Sequence, residues 1–442
     1  MKNLGILLVF LIIAISANAQ KSLSLSEAIQ IGLANNYDIQ VENLYLDIAK
    51  NNNNWAEAGR YPSLTLSLVQ NNSITDINNP ASFLQGNIIS NSINPQVIAN
   101  WMLFNGFSVK INRQRLNALE NQSEGFTTVL IENTIQAIIL SYYAVLLEQE
   151  RENVLNNVLQ LSKDRYDYVR LKMSMGSAVT FESLQAKTAF LTDSSNYIMQ
   201  QFNSKNAVRD LNLVMGQETE TSYIFTEKLN PLINNYKFED LYEKMASNNN
   251  NLKNQFVNQE LLRLDVAQKQ SAIYPRLDLS LGTSYILNRQ DLSNATFVTG
   301  DRGPGNVQAA TLNYFANFSL SFNLFDGGRM KRQIQNSRIQ ERIGQLQTEE
   351  LKLSLKNDLL MNYDFYNLRK NLYTISEENL KTSELNMQLG EDRFKSGNIS
   401  SFDFRNLQVE YLNVALNNLQ AIYNLVESNT QLLRLTGGIL VN

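Results

Sequence analysis

The chain of 442 residues contains no cysteine and no histidine. These absences exclude disulfide bonds, thiol nucleophiles, Ser-His-Asp triads, and zinc or copper sites built on nitrogen or sulfur ligands. We therefore predict no catalytic site, no metal site and no cofactor. The 38 basic residues are fewer than the 42 acidic ones, and this balance argues against nucleic acid as a partner because nucleic-acid-binding surfaces carry excess positive charge.

Proline is also scarce, with six residues in all and none between positions 96 and 230 or after position 304. A proline inside a helix costs about 3 kcal/mol because it removes a hydrogen bond and clashes with the preceding turn. The two proline-free stretches are therefore free to form very long helices. Pro62 and Pro275 lie where helical patterns give way to alternating ones.

The N-terminus has the three parts of a secretory signal. Lys2 provides a positive charge, residues 4–15 form an apolar segment, and residues 17–19 form a small-residue cleavage site. The apolar segment is too short for a permanent membrane helix, which makes an uncleaved anchor the less favoured alternative. We predict a signal peptide over 1–19 and a mature chain that begins near Gln20. No later segment is expected to reach the ~18 apolar residues that a membrane helix needs.

The same landmarks occur twice along the chain and in the same order. Tyr61-Pro62 returns as Tyr274-Pro275 at an offset of 213 residues, and Leu103-Phe104 returns as Leu324-Phe325 at an offset of 221. Constant spacing at several independent landmarks indicates an internal duplication. We predict four parts after the signal peptide: repeat one at 20–216, a linker at 217–237, repeat two at 238–437 and a short tail at 438–442.

Each repeat is predicted to begin with a helix that leads into the Tyr-Pro pair and is followed by a β-hairpin. The helix covers about 26–60 in repeat one and about 239–273 in repeat two. The hairpin covers about 63–104 and about 276–325. Both hairpins carry polar loops between their strands.

A long helix of about 70 residues, or about 100 Å, is predicted to follow each hairpin. It begins at the N-cap candidates Asn105 and Asp326 and ends before the C-cap candidates Gly176 and Gly397. A last helix of about 35 residues completes each repeat. In repeat one the long helix carries apolar residues at coiled-coil spacing, and we predict that they pack against other helices: Ile131, Ile135, Ile138, Tyr142 and Val145.

The hairpin strands alternate apolar and small polar residues over long distances. The clearest run has one apolar face made of Leu312, Tyr314, Ala316, Phe318, Leu320, Phe322 and Leu324. Such alternation is typical of a transmembrane β-strand, although a soluble antiparallel sheet with one buried face is an alternative. Two observations favour the membrane. The chain carries a secretion signal, and the sequence offers no other element to cover this apolar surface.

Four strands are too few to close a barrel, which needs about eight for its side chains to fill the interior. An open sheet edge is not tolerated in lipid, because each backbone polar group there must be hydrogen-bonded within the protein. A transmembrane barrel must therefore be shared between chains, and two, three or four chains all satisfy this requirement. The predicted fold class is mixed α and β, with a long coiled-coil tunnel and a shared transmembrane β-barrel.

These landmarks resemble the TolC-type outer-membrane efflux proteins over the whole mature chain. The resemblance is carried by the two Tyr-Pro pairs, by the segment 324–329 (Leu-Phe-Asp-Gly-Gly-Arg) and by the segment 393–397 (Arg-Phe-Lys-Ser-Gly). It implies a homotrimer with a twelve-stranded barrel in the outer-membrane lipid and a helical tunnel in the periplasm. It also implies a passive export duct that is coupled to an inner-membrane transporter through a periplasmic adaptor.

The resemblance further assigns candidate functional residues. Glu182, Asp403 and Asn406 fall at the pore constriction, although Asn406 lacks the negative charge usual there. A structural alternative for Glu182 and Asp403 is stabilisation of a helix N-terminus by a carboxylate in its first turn. Two further groups follow from the turns: the adaptor-contact tip residues Gly176, Arg393 and Gly397, and the strand-helix switch residues Pro62, Pro275, Gly106, Gly327 and Gly328.

Two other classes of function were weighed. A secreted or surface structural coiled-coil protein without a channel explains the long helices but not the repeated alternating strands. An enzyme that uses paired carboxylates is also conceivable, but no two acidic residues recur in a pocket-like context. We therefore predict an outer-membrane export channel and no enzyme.

Overall fold

The computed structural model describes residues 21–231 and 233–440, so the predicted signal peptide lies outside the described residues. Repeat one contains β1 (Lys21–Leu23), α1 (Leu25–Asn35), α2 (Tyr37–Asn52), β2 (Ser63–Ile77), β3 (Leu84–Asn105), α3 (Ser108–Ser174) and α4 (Thr180–Val214). A short strand, β4 (Tyr223–Phe225), follows in the linker. Repeat two contains α5 (Phe238–Asn248), α6 (Asn250–Ser271), β5 (Arg276–Phe297), β6 (Asn306–Ser321), α7 (Arg329–Lys395) and α8 (Ser401–Leu435).

The chain divides into two compact units, which are described separately. Among the described residues, the helical unit consists of 21–45, 124–231, 233–255 and 348–440. The sheet unit consists of Leu46–Ser123 and Phe256–Gln347. Both long helices, α3 and α7, have 67 residues, and both α4 and α8 have 35. The predicted lengths of these four helices are therefore confirmed.

The predicted coiled-coil stripe of α3 forms part of the core of the helical unit. Ile138, Tyr142 and Val145 are fully buried, in one cluster with Leu211 and Met215. The hydroxyl of Tyr142 donates to the carbonyl of Leu23 at 2.9 Å, which satisfies its polar end within the core. β1 lies beside this residue and pairs in parallel with β4. The stripe is a packing surface, as predicted.

One expectation about α3 was wrong. By length and composition, α3 contains an 18-residue window apolar enough to cross a membrane. That window is 39% buried inside the chain. Core residues of a helix that packs inside a protein are apolar, as membrane-facing residues are, and α3 carries the fully buried Ile138 and Val145.

The first helix of each repeat was predicted as one element and is in fact two. The break falls at Asn36 in repeat one and at Asn249 in repeat two, and both residues have extended backbone angles. The Asn249 side chain accepts from the backbone N–H of Leu252 and donates to the carbonyl of Leu435, each at 3.0 Å. The Asn36 side chain likewise accepts from Ile39 and donates to Val214. Asparagine side chains thus replace helix hydrogen bonds at both breaks.

The sheet unit contains a four-stranded antiparallel sheet in the order β2-β3-β5-β6. Its register aligns the predicted apolar faces, so that Leu64, Ala99, Leu281 and Ala316 form one row across all four strands. The alternating pattern in the sequence extends to Leu324, but the last strand ends at Ser321. Within the described residues, β2 and β6 each pair on one side only, so both edges of the sheet are open.

Candidate functional site

The turn between α7 and α8, called the repeat-two tip, is closed by backbone hydrogen bonds. The N–H of Asn398 donates to the carbonyl of Arg393 at 2.7 Å, and that of Gly397 to the carbonyl of Phe394 at 3.0 Å. These are the two bonds of a Schellman cap, in which the glycine takes a left-handed conformation. Gly397 has the required φ of 78°, and open space surrounds the position of a Cβ atom on this residue.

Asp403 lies in the first turn of α8 and is tied to the start of the helix. The Ser400 N–H donates to the Asp403 carboxylate at 3.3 Å, and the Asp403 N–H donates to the Ser400 hydroxyl oxygen at 3.1 Å. This is a capping box, which satisfies two helix N–H groups that would otherwise lack partners. The carboxylate is nevertheless exposed, so Asp403 combines a capping role with a negative charge at the surface.

The turn between α3 and α4, the repeat-one tip, has the same Schellman cap. Ser177 donates to the carbonyl of Lys172 at 2.8 Å, and Gly176 has a φ of 74°. The start of α4 differs, because its N-cap is Val179 and no side chain caps it. Glu182 occupies the position that Asp403 has in α8 and is exposed. Since valine cannot form a capping box, the two predicted constriction carboxylates differ in how firmly they are held.

One groove brings three of the predicted residues together. It has a volume of about 400 Å³ and is lined by Arg393, Asp403 and Asn406, with Leu389, Ile399 and Leu407 among its other walls. One residue predicted for the adaptor contact and two predicted for the constriction therefore share one surface. Glu182 and Gly176 lie on the other tip. The positive Arg393 next to Asp403 was not expected from the sequence, where the two residues were assigned to separate roles.

Aromatic side chains hold the two tips together. The rings of Phe394 and Phe404 stack with their centroids 4.8 Å apart, and Tyr168 from α3 meets Phe394 edge-on at 5.2 Å. Val169 and Ala186 are buried in the same cluster. Side chains from both repeats therefore form one hydrophobic core just behind the turns.

A buried network of charges near the tips was missed by the sequence analysis. Asp193 on α4 is 1% exposed and accepts two hydrogen bonds from the guanidinium of Arg405 on α8, at 2.5 and 2.8 Å. The Ser162 hydroxyl on α3 also donates to this carboxylate. Three helices from both repeats therefore meet at one acidic residue. The sequence held one signal for this site. Asp193 is seven residues from both Ala186 and Gln200, so all three lie on one face of α4, which the structure shows to be buried.

Arg165 adds a second cation to this network. It is 3% exposed and donates to the carbonyl of Ser401 at 3.0 Å, while its Nε and Nη2 atoms are buried without hydrogen-bond partners. Burial and, next, the nearby charge of Arg405 lower the pKa of Arg165 to about 10. The group therefore still carries its charge at neutral pH. We call the four residues Ser162, Arg165, Asp193 and Arg405 the sub-tip network.

The strand-helix switches use left-handed residues in both repeats. Gly327 and Gly328 have φ values of 68° and 76°. Asp326 is not at the N-cap position, because α7 begins only at Arg329, but its carboxylate still accepts from the N–H groups of Arg329 and Met330. In repeat one the left-handed pair is Gly106 and Phe107, with φ values of 54° and 66°.

The N-cap prediction for Asn105 was wrong. Asn105 is the last residue of β3, and α3 begins only at Ser108. Phe107, between the strand and the helix, adopts the left-handed conformation, which is unfavourable for a residue with a Cβ atom. Its ring lies edge-on to those of Phe104 and Tyr274, at 5.3 and 6.1 Å, and these contacts offset part of the strain. Pro62 and Pro275 directly precede β2 and β5.

The two switch glycines predict a difference in stability. A Cβ atom on Gly106 would lie 2.1 Å from the carbonyl oxygen of Ser271, whereas Gly327 has no neighbour within 4 Å of that position. Gly327→Ala should therefore cost about 1–2 kcal/mol, from backbone strain alone. Gly106→Ala should cost more than twice that, because α6 must also move. The urea midpoint of each purified variant measures the difference, and equal midpoints would contradict it.

Comparisons with known proteins agree with this architecture. A family model described as outer membrane efflux protein matches residues 28–217 and again residues 241–438. The double match confirms the predicted internal repeat. A comparison with curated protein sequences found no significant match.

Solved structures show the same fold at low sequence identity. A membrane protein from Pseudomonas aeruginosa superposes with a TM-score of 0.74 at 14% identity, covering 93% of each chain. The CmeC outer membrane channel of Campylobacter jejuni gives 0.72 at 15% identity, covering 94% of this chain and 85% of that one. The outer membrane protein VceC of Vibrio cholerae gives 0.72 at 13%, covering 94% and 96%. The chain belongs to the outer membrane efflux protein family, which confirms the predicted TolC-type fold and the location in the cell outer membrane.

Proposed function

We propose that the chain is one subunit of a homotrimeric channel-tunnel that exports small molecules, or proteins by type I secretion, across the periplasm and the outer membrane. The strands span the outer-membrane lipid, and the long helices line a tunnel in the periplasm. The duct is passive. An inner-membrane transporter supplies the energy, and a periplasmic adaptor joins it to the tunnel.

The sheet unit carries this proposal. Its apolar rows are exposed in the single chain: Leu66 is 76% and Tyr314 78% exposed, and both lie in one cross-strand row. An apolar face of this extent is stable in lipid, whereas in water it would favour aggregation. The open edges of β2 and β6 also require partners, because lipid offers no hydrogen bonds to backbone groups. Three copies joined edge to edge give twelve strands and no free edge.

The two tips are the proposed contact sites for the adaptor. Gly176 and Gly397 lie in turns and face open space, so that another protein can approach the backbone closely. Arg393 lies beside them in the last turn of α7. Glu182, Asp403 and Asn406 are the proposed constriction. In a trimer, three copies of each side chain would face one axis, and the carboxylates would raise the local negative potential and favour cations.

The predicted division of the chain belongs to the same proposal. The signal peptide 1–19 directs the chain out of the cytoplasm and is then removed. The repeats 20–216 and 238–437 contribute equivalent strands and helices to the channel. The linker 217–237 connects them, and β4 within it pairs with β1.

The native mass of protein extracted from outer membranes in mild detergent tests the proposal. A mass near three mature chains, together with ion conductance in planar bilayers, is expected. A stable monomer would overturn the proposal, because it would leave two open sheet edges in lipid.

A matched pair of variants separates the membrane face from the opposite face of the sheet. Leu66→Arg places a charge on the apolar face, which costs about 2–4 kcal/mol at the middle of a bilayer. Ser67→Arg introduces the same side chain one residue later, on the other face. Leu66→Arg should strongly reduce the amount of trimer in the membrane, and Ser67→Arg should not. Equal yields of the two variants would argue against a lipid-facing sheet.

A further inference from the structure

The segment 53–62 of repeat one forms a structured turn between α2 and β2. Arg60 donates its N–H to the carbonyl of Trp55 at 3.0 Å, and Gly59 donates to Ala56 at 2.9 Å. Gly59 has a φ of 88°, so this is another Schellman cap. The turn folds Arg60 back over Trp55, and the guanidinium carbon lies 4.9 Å from the centre of the indole ring.

A second arginine approaches the same ring. The guanidinium carbon of Arg113, in the second turn of α3, lies 5.9 Å from the Trp55 ring centre. None of the ion pairs among residues 21–231 and 233–440 includes Arg60 or Arg113, and Nη1 of Arg113 is buried without a hydrogen-bond partner. Two cations that contact one ring, neither of them in an ion pair, favour the binding of an anion.

A groove of about 490 Å³ adjoins this cluster. Its lining consists of Trp55, Arg113, Gln114, Asn117, Ala118, Asn121 and Glu260. Amide side chains supply neutral hydrogen-bond donors along the walls. The acidic member, Glu260, is held by Arg263 through two hydrogen bonds of 2.6 and 2.7 Å, so its charge is already compensated.

Two further acidic residues lie close by. The carboxylate of Glu120 accepts from Asn53. Glu57 follows Trp55 by two residues and is exposed, and its side chain forms no ion pair among the described residues. Neither acid forms an ion pair with Arg60 or Arg113, so both guanidinium groups keep their hydrogen-bond donors available for a ligand.

Repeat two shows that the fold does not need this cluster. At the offsets that relate the repeats, Trp55 corresponds to Gln268, Arg60 to Ile273 and Arg113 to Ile334. Ile273 and Ile334 instead line a pocket of their own beside the start of α7. The two positions that hold arginine in repeat one thus hold isoleucine in repeat two. This difference points to a role for the cluster beyond packing.

The position of the cluster suggests its ligand. Arg60 precedes Tyr61-Pro62 directly, and its carbonyl accepts from the indole N–H of Trp101 on β3 at 2.8 Å. This is the point at which the chain enters the sheet. If the sheet spans the outer membrane as proposed above, on which this inference rests, the cluster lies at the headgroup level on the helix side. Tryptophan and arginine are suited to that level, since each has an apolar body and a polar end.

We propose that Trp55, Arg60 and Arg113 bind the phosphate headgroup of an anionic phospholipid in the periplasmic leaflet. The phosphate receives charge-assisted hydrogen bonds from the two guanidinium groups, whose planar donors match phosphate oxygens. The indole fixes both cations by cation-π contact and packs against the glycerol end of the lipid. Free phosphate shares the headgroup chemistry but has no chain to remain in the bilayer.

Native mass spectrometry of the intact oligomer tests the site with three probes: dioleoyl phosphatidylglycerol, dioleoyl phosphatidylcholine and inorganic phosphate. The test variant is Arg60→Gln with Arg113→Gln. The control is Arg115→Gln, which removes one exposed cation two residues further along α3, and the single variant Arg113→Gln is compared with it at equal charge. We expect phosphatidylglycerol to bind wild type and control at least tenfold more tightly than the test variant, because each lost charged hydrogen bond is worth about a factor of ten.

Three results would overturn the site. Equal retention of phosphatidylglycerol by wild type and test variant would show that the arginines do not bind it. Equal binding of phosphatidylcholine, whose headgroup carries a compensating cation, would show that the site does not select an anionic lipid. Displacement of phosphatidylglycerol by an equal concentration of inorganic phosphate would make free phosphate the ligand. The same spectra report the trimer mass, so an intact trimer that lacks bound lipid refutes this site and leaves the proposed channel standing.

Discussion

Replacing Asp193 with alanine is expected to lower the free energy of local opening at the helix tips by about 3–5 kcal/mol. The carboxylate is 1% exposed and is the only anion that the structure places between Arg405 and Arg165 within the described residues. Its loss would leave the buried guanidinium of Arg165 and the partly buried guanidinium of Arg405 without an acidic partner. Hydrogen exchange of the backbone amides in 180–200 and 396–410 measures this energy.

Further variants separate charge from shape in the sub-tip network. Asp193→Asn keeps the shape but turns an amide group toward the guanidinium of Arg405, so it should cost nearly as much as alanine. The pair Asp193→Leu with Arg405→Met should restore much of the stability, because a buried ion pair can often be replaced by apolar side chains at little cost.

A control is provided by the Arg369–Glu427 pair, whose N···O distance of 2.8 Å is similar but whose side chains are 28% and 37% exposed. Glu427→Ala should cost less than about 1 kcal/mol, because water screens partly exposed pairs. If Asp193→Ala changes the hydrogen exchange of the tip amides no more than Glu427→Ala does, the network has no structural role at the tips.

The fold was predictable from the sequence where local patterns decide structure. Proline-free stretches with glycines at their ends gave helices of the expected lengths, since Gly176 and Gly397 are the residues that can take the left-handed cap. Strict alternation gave the strands, and their apolar residues align across the sheet. The breaks at Asn36 and Asn249 were not predictable, because each asparagine acts through a carbonyl some 180 residues away in sequence.

The candidate site was predictable only in part, for a related reason. The tip turns and the carboxylates of their first helical turns follow from short motifs. The contact of Arg405 with Asp193 joins residues 212 positions apart, and no local pattern specifies which buried charges meet. Likewise, Arg60 and Arg113 come together only because a Schellman turn folds the chain over Trp55.

Removing the proposed constriction charges should weaken the cation preference of the channel. The double variant Glu182→Gln with Asp403→Asn removes six carboxylates per proposed trimer and preserves side-chain shape. A unit charge about 7 Å from an ion contributes about 0.6 kcal/mol in water. Salt screens these interactions, but the summed contributions of the six carboxylates still predict at least a fivefold fall, roughly, in the permeability ratio of cations to anions. Reversal potentials in a salt gradient across planar bilayers measure this ratio.

The capping role of Asp403 must be separated from its charge. Ser400→Ala breaks the capping box but leaves the Asp403 carboxylate in place. It should cost about 1 kcal/mol of helix stability and leave the permeability ratio unchanged. If Ser400→Ala alters the ratio as much as Asp403→Asn does, the effect arises from the geometry of the tip and not from the charge.

Asn406 allows the same argument to be tested by gain of charge. Asn406 lies one helical turn after Asp403, is exposed and lines the same groove. Asn406→Asp would add three carboxylates per trimer next to those of Asp403, so the cation preference should rise above that of wild type. Arg393 in the same groove limits this gain, and Arg393→Gln combined with Asn406→Asp should raise the ratio further. A ratio that moves in the same direction on removal and on addition of carboxylates would exclude these residues from the ion path.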